Sequence, residues 1–170
     1  MEGVFNPAEL VEIGIEKEKK RRDFYAAVAG VAKKEEIKEL FLKLSAWEEE
    51  HVRRFSEIRL LVDEQPAVGS YPDELEDYMQ ALVADRLYSG LDPSRWSLEL
   101  KKPLEAIRRG MEFEKDAILF FQELGRFLSS PGREIVDRLI REEKDHLVYL
   151  ARLGERLKME GKTGRKDGNR

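Results

Sequence analysis

Cysteine is absent from the 170 residues, which excludes disulfides, thiolate metal sites and cysteine nucleophiles; carboxylate oxygen and imidazole nitrogen remain as metal ligands. Histidine is scarce too, with only His51 and His146. Nowhere do 18 apolar residues run together, so no membrane span is expected, and the opening MEGVFNPAEL lacks the basic and continuous apolar segments of a secretory leader. Nor does one charge dominate. The 31 Lys plus Arg are interleaved with 35 Asp plus Glu for a net charge of -4, which leaves no general footprint for nucleic acid or an anionic membrane. A cytoplasmic location is the default expectation.

What is present is the material of long amphipathic helices, 41% hydrophobic and 39% charged residues, in a chain long enough to bury one core. Asn6, Pro7 and Glu9 form an N-cap, a proline at the first helical position and a reciprocal acid, so a first helix starts near Pro7 and weakens at Gly30. Its apolar positions are Val11, Ile15, Tyr25 and Ala29. A second helix is expected from about Lys34 to Val62, ended before Pro66. Residues 63–98 form a long connection in which Pro72 and the run DELEDYMQALVADRLYS predict a shorter helix. A third long helix should run from about Leu98 to Leu128, and a fourth from just after Ser130 and Pro131 to about Met159. Residues 1–160 thus form one all-α domain, two helix pairs joined by a long crossover, and GKTGRKDGNR at 161–170 is expected to be a disordered tail.

The chain repeats itself. GIEKEKKRRDFY from Gly14 superposes on GMEFEKDAILFF from Gly110 at an offset of 96, pairing Glu18 with Glu114 and Tyr25 with Phe121. LSAWEEEHVRRF from Leu44 superposes on LIREEKDHLVYL from Leu139 at an offset of 95, pairing Glu48 with Glu143 and His51 with His146. In the second helix the inward ladder 41, 44, 48, 51, 55, 58, 62 is apolar except at Glu48 and His51; in the fourth, 136, 139, 143, 146, 150, 153, 157 is apolar except at Glu143 and His146. Glu114 interrupts the ladder Ile107, Met111, Ile118, Phe121, and Glu18 lies between Ile15 and Tyr25, on a face diluted by Arg22.

A single Glu-x-x-His is ordinary helix surface. Two copies at equivalent repeat positions, each filling a gap in an apolar stripe, point inward. A buried, unpaired carboxylate costs several kcal/mol or more, so these acids need a counter-charge. No lysine or arginine occupies the centre of the second, third or fourth stripe, which leaves metal cations. The i, i+3 spacing puts each Glu and His on one face a turn apart, and oxygen and imidazole donors suit iron or manganese. Glu18, Glu48, His51, Glu114, Glu143 and His146 are therefore the candidate ligands of two ions. Glu16, Glu49, Glu50, Glu112 and Glu142 read as helix surface or outer neighbours of the site.

These four motifs together resemble the rubrerythrin-like branch of the ferritin-like superfamily, over nearly everything but the ends and the crossover. The resemblance implies a ferritin-like four-helix bundle. In it Glu18 and Glu114 would be carboxylates from the first helix of each pair, Glu48 and Glu143 would bridge or chelate, and His51 and His146 would each cap one metal. It implies a di-iron or di-manganese redox protein that reduces hydrogen peroxide or O2 with ferroxidase activity, as a homodimer or larger homo-oligomer; zinc could substitute in the site. Tyr25 is a candidate for a hydrogen-bonding or oxidant-facing role, its alternative being a core aromatic. Two departures narrow the reading. A chain without cysteine has no rubredoxin-type iron domain, so electrons would come from a separate donor or from free Fe(II). Ala117 stands where the family offers a further glutamate, which argues against redox-linked ligand exchange there. Iron sequestration or structural metal binding in an oligomer, a di-iron oxidase of an organic substrate, and a metal-free helical adaptor are the alternatives.

Overall fold

The computed structural model describes residues 6–63, 73–84 and 102–163. Among them run five helices and no strand: α1 (Pro7–Val31), α2 (Glu35–Asp63), α3 (Asp73–Ala84), α4 (Pro103–Leu124) and α5 (Gly132–Thr163). The capping box at the start of α1 is formed, with Glu9 N donating to Asn6 Oδ1 at 2.8 Å and Asn6 N donating to Glu9 Oε2 at 3.0 Å. With three residues between α1 and α2 and seven between α4 and α5, each pair must turn back on itself, and α1 packs chiefly on α2, α4 on α5.

Among the described residues the boundaries differ from expectation in two places. The third long helix ends at Leu124, where Gly125 caps it, although Phe127 and Leu128 still enter the core from the connection. Its expected start at residues 98–101, like residues 85–89 of the short crossover helix and residues 164–170 of the tail, lies outside the described residues. The last helix runs on through Gly161–Thr163, into the segment expected to be a disordered tail, because nothing before Thr163 stops a helix already packed through Leu150 and Leu153.

Two apolar clusters fill the bundle. Phe55, Ile58, Phe120, Phe121, Val136 and Leu139 belong to one, and Phe24, Tyr25, Phe41, Leu44, Phe113 and Leu150 to the other. Buried Met79 of α3 joins the first, so the crossover helix covers the bundle's side. Between the clusters lies the polar layer. The ladders of α2 and α5 are buried as expected up to their last members, Val62 and Leu157, which are half-buried. On α4 the buried face is wider and turned: Met111 and Ile118 are half-buried, while Phe113, Ala117, Phe120 and Leu124 are fully enclosed.

Repeat-related glycines set the spacing of the helices. A Cβ at Gly14 would stand 3.0 Å from the Phe55 ring, and one at Gly110 would stand 3.1 Å from Leu150 and 3.2 Å from Tyr25. Side chains there would push α2 and α5 away from the acids one turn on.

Candidate metal centre

Glu18 of α1, Glu48 and His51 of α2, Glu114 of α4, and Glu143 and His146 of α5 all lie in the polar layer, with between 0 and 4% of each exposed. Helical phase brings them there, since each completes an apolar ladder that must face inward. The structure gathers them into two quartets. Glu18, Glu48, His51 and Glu143 form one, and Glu48, Glu114, Glu143 and His146 the other; in each, one potential ligand atom per residue lies within 4.8 Å of the rest. Glu48 and Glu143 belong to both.

The shared acids turn one oxygen to each histidine. His51 Nδ1 is 3.2 Å from Glu48 Oε2 and 3.2 Å from Glu143 Oε1, whereas His146 Nδ1 is 2.9 Å from Glu143 Oε2 and 3.8 Å from Glu48 Oε1. Glu18 Oε2, both oxygens of Glu48, Glu114 Oε2, His51 Nδ1 and Arg21 Nε are buried and, close as some of them lie to one another, none is aligned for a hydrogen bond among the described residues. Carboxylates and imidazoles converging at this density fit divalent cations, which would displace their protons, and oxygen with imidazole nitrogen is a donor set that iron, manganese or zinc accepts.

The residues around the quartets are not alike. Arg21, fully buried, donates from Nη2 to Glu18 and, at 3.0 Å, to Glu143 Oε1; its Nε lies 3.6 Å from Glu48 Oε2 and its guanidinium covers the Phe121 ring. His51 Nε2 meets Glu142 Oε2 at 3.1 Å, and Glu142 is gripped by Arg54 at 2.7 and 2.9 Å. On the other side Trp47 stacks on His146 with ring centroids 4.7 Å apart, and Tyr149 stacks on Trp47 at 5.7 Å. The Tyr25 hydroxyl donates to Glu114 Oε1 and lies 3.4 Å from the Gly110 carbonyl.

Electrostatics divides the acids accordingly. Burial alone pushes every one up, but the Arg21 charge, with its hydrogen-bonded neighbours, outweighs that at Glu18 and Glu143 and holds both below the usual carboxylate range. At Glu48 and Glu114 burial prevails, reinforced by the charge of Glu143, and both are raised. Burial lowers His51, yet Glu143 and Glu142 more than compensate and carry it well above the ordinary histidine value. Burial and the charge of Glu114 raise the Tyr25 phenol, which stays protonated. Glu142 is pulled down to about 2 by its hydrogen bond from His51 and then by Arg54.

Arg21 corrects the sequence reading. The second, third and fourth stripes do lack cations at their centres, but α1 supplies one, and the residue diluting its inner face is Arg21, while Arg22 points outward to Glu49 at 2.6 Å. Two divalent ions and four carboxylates would balance to zero; with Arg21 the sum is +1. A second buried cation, Lys17, pairs with Asp116 at 2.9 Å and lies over Phe120. Both carry a signal in the repeat. Gly14, Lys17, Arg21, Phe24 and Val28 form an inward ladder of their own, and Arg21 falls on Ala117 at the offset of 96.

A helical bundle with four buried acids and two histidines in two quartets defines a ferritin-like dimetal-carboxylate protein. Comparison then places it: the model of the Rubrerythrin family matches residues 9–154, and the chain belongs to that family. Among solved structures it is similar to one from Thermotoga maritima bearing the provisional description of a ferritin-like diiron-carboxylate protein. That match has a TM-score of 0.64 and 20% identity, and covers 91% of this chain and 98% of the other. No curated protein matches. No helix among the described residues is long and apolar enough to cross a membrane.

Proposed function

We propose that this chain is a non-haem di-iron oxidoreductase, with manganese an alternative occupant, that reduces hydrogen peroxide or O2 and oxidises Fe(II) in doing so. The observation that carries the reading is the sharing of Glu48 and Glu143 between two enclosed carboxylate–histidine quartets. Glu18 and His51 would complete one position, and Glu114 and His146 the other. A bound Fe(II) pair would supply one electron per ion, so that hydrogen peroxide, two electrons and two protons yield two waters.

The protein's part is enclosure, orientation and proton placement. Six ligands no more than 4% exposed favour an oxidant as small as peroxide or O2 over an organic substrate. Glu142 and Arg54 orient His51, and Trp47 orients His146. Tyr25 holds its proton against Glu114, at the edge of the centre where an arriving oxidant would need one. Electrons would come from a separate donor or from free Fe(II), and we expect the working form to be a homodimer.

Stopped-flow mixing of anaerobically Fe(II)-loaded protein with hydrogen peroxide, and separately with O2, tests the reading. Iron should oxidise faster than free Fe(II) with at least one oxidant, and E48Q/E143Q should abolish the difference. Equal rates for loaded protein, free Fe(II) and the double variant would sink the proposal. A 12- or 24-subunit cage by sedimentation would favour storage instead.

A further inference from the structure

The two positions differ in the cation that already stands beside one of them. On both shared acids Arg21 approaches the oxygen that faces His51. Glu143 Oε1 is 3.0 Å from Arg21 Nη2 and 3.2 Å from His51 Nδ1; Glu48 Oε2 is 3.6 Å from Arg21 Nε and 3.2 Å from His51 Nδ1. The oxygens turned toward His146 are the opposite ones of each carboxylate, Glu143 Oε2 and Glu48 Oε1. Arg21's third carboxylate partner, Glu18, belongs to the His51 quartet alone. At the other position the repeat substitutes Ala117 for the arginine, and Glu114 meets the neutral hydroxyl of Tyr25.

A guanidinium in this place does two things to an incoming divalent ion. It engages lone pairs that the ion needs, through charge-assisted hydrogen bonds, and it repels the ion across a buried core of low dielectric. We infer that the two metal positions are unequal and fill in order. The first cation enters at His146, and the His51 position fills second and more weakly because Arg21 serves as its resident cation. The inference rests on the dimetal reading above and adds to it that Arg21, outside the ligand set, grades the two affinities.

Titration of the metal-free full-length chain with Co(II), followed by calorimetry and by visible ligand-field absorption, separates the two. The native chain should take up two Co(II) in steps, the second weaker by at least about tenfold. His146→Ala should remove the tight step and His51→Ala the weak one. Mutual repulsion of two ions also weakens a second step, so Arg21→Met carries the decision: repulsion between ions persists there while the guanidinium is gone. The ratio of step affinities should narrow by about tenfold in R21M and stay wide in R21K. An unchanged ratio in R21M, or a tight step that survives in H146A and vanishes in H51A, overturns the inference; the histidine pair decides alone should R21M not fold. Two equal steps in the native chain overturn the inference and leave the dimetal reading intact. No cobalt uptake at all removes both.

Discussion

The His51 end and the His146 end of the centre are built on one repeated scaffold and furnished differently. At the first, the histidine is held by a carboxylate, Glu142, itself held by Arg54, and Arg21 adds a buried positive charge. At the second, the histidine lies against the Trp47 ring, Tyr149 extends the stack, and Tyr25 contributes a neutral hydroxyl. At the offset of 95, Glu142 falls on Trp47 and Tyr149 on Arg54, so the same places in the fold carry charge on one side and aromatic rings on the other. The repeat keeps the residue types of the candidate ligands and lets their surroundings diverge. A symmetric set of ligands therefore need not bind symmetrically.

Substitutions can abolish, invert or sharpen that contrast. The largest effect should follow E48Q/E143Q, which strikes both ends because both acids are shared. Outer partners alone are worth about 10–100-fold in metal affinity, so both steps should weaken by at least about a hundredfold, read by Co(II) titration and metal analysis. Glu142→Gln should act at one end, weakening the His51 step by about 10–100-fold while leaving the His146 step in place. Crowding the paired glycines tests the scaffold: G110A and G14A should each cost about 1–3 kcal/mol in denaturant unfolding, but only G110A, which presses on Tyr25, should disturb the His146 end. Trp47→Leu removes a stacked ring, worth about 0.5–1.5 kcal/mol, and should weaken the His146 step by about tenfold at most.

The smallest effect concerns pH. Glu48 and Glu114, raised by burial and by Glu143, and His51, raised by Glu143 and Glu142 against its burial, hold protons in the metal-free fold that metal binding must expel. Groups with raised values stabilise the metal-free fold below their unfolded values, and that contribution is lost as pH rises through the folded ones. The metal-loaded fold is spared this loss. The rise in Tm on adding Co(II) should therefore be larger near about pH 8 than near about pH 6. A rise independent of pH would show that these groups are unprotonated before metal arrives.

Much of the fold was legible because α2 and α5 each bury one narrow stripe, in which an acid or imidazole stands out as an interruption. Glu48, His51, Glu143 and His146 stand out on that logic, and Glu18 and Glu114 lie beside them through the repeat. The logic weakened on α1 and α4, which bury wider faces: Lys17, Arg21 and Asp116 look like surface charge when only one ladder is traced. On α1 a second ladder runs one residue before the first, and it carries both buried cations. The third long helix was overextended at its C-terminal end because Phe127 and Leu128 keep the apolar pattern going after Gly125 has ended the helix. Partner choice across the repeat, Glu142 with His51 and Trp47 with His146, depends on helix-to-helix geometry that periodicity along one helix does not contain.

The Lys17–Asp116 pair has a mechanical consequence. It ties α1 to α4 within the bundle, one residue from Glu18 and two from Glu114. Sliding either helix by one turn, about 5.4 Å, would strand two opposite charges away from water, so the pair works as a detent that penalises any other alignment. Glu18 and Glu114 are thereby kept level across the core, and the height at which the two halves of the centre meet is set by residues that touch neither metal position.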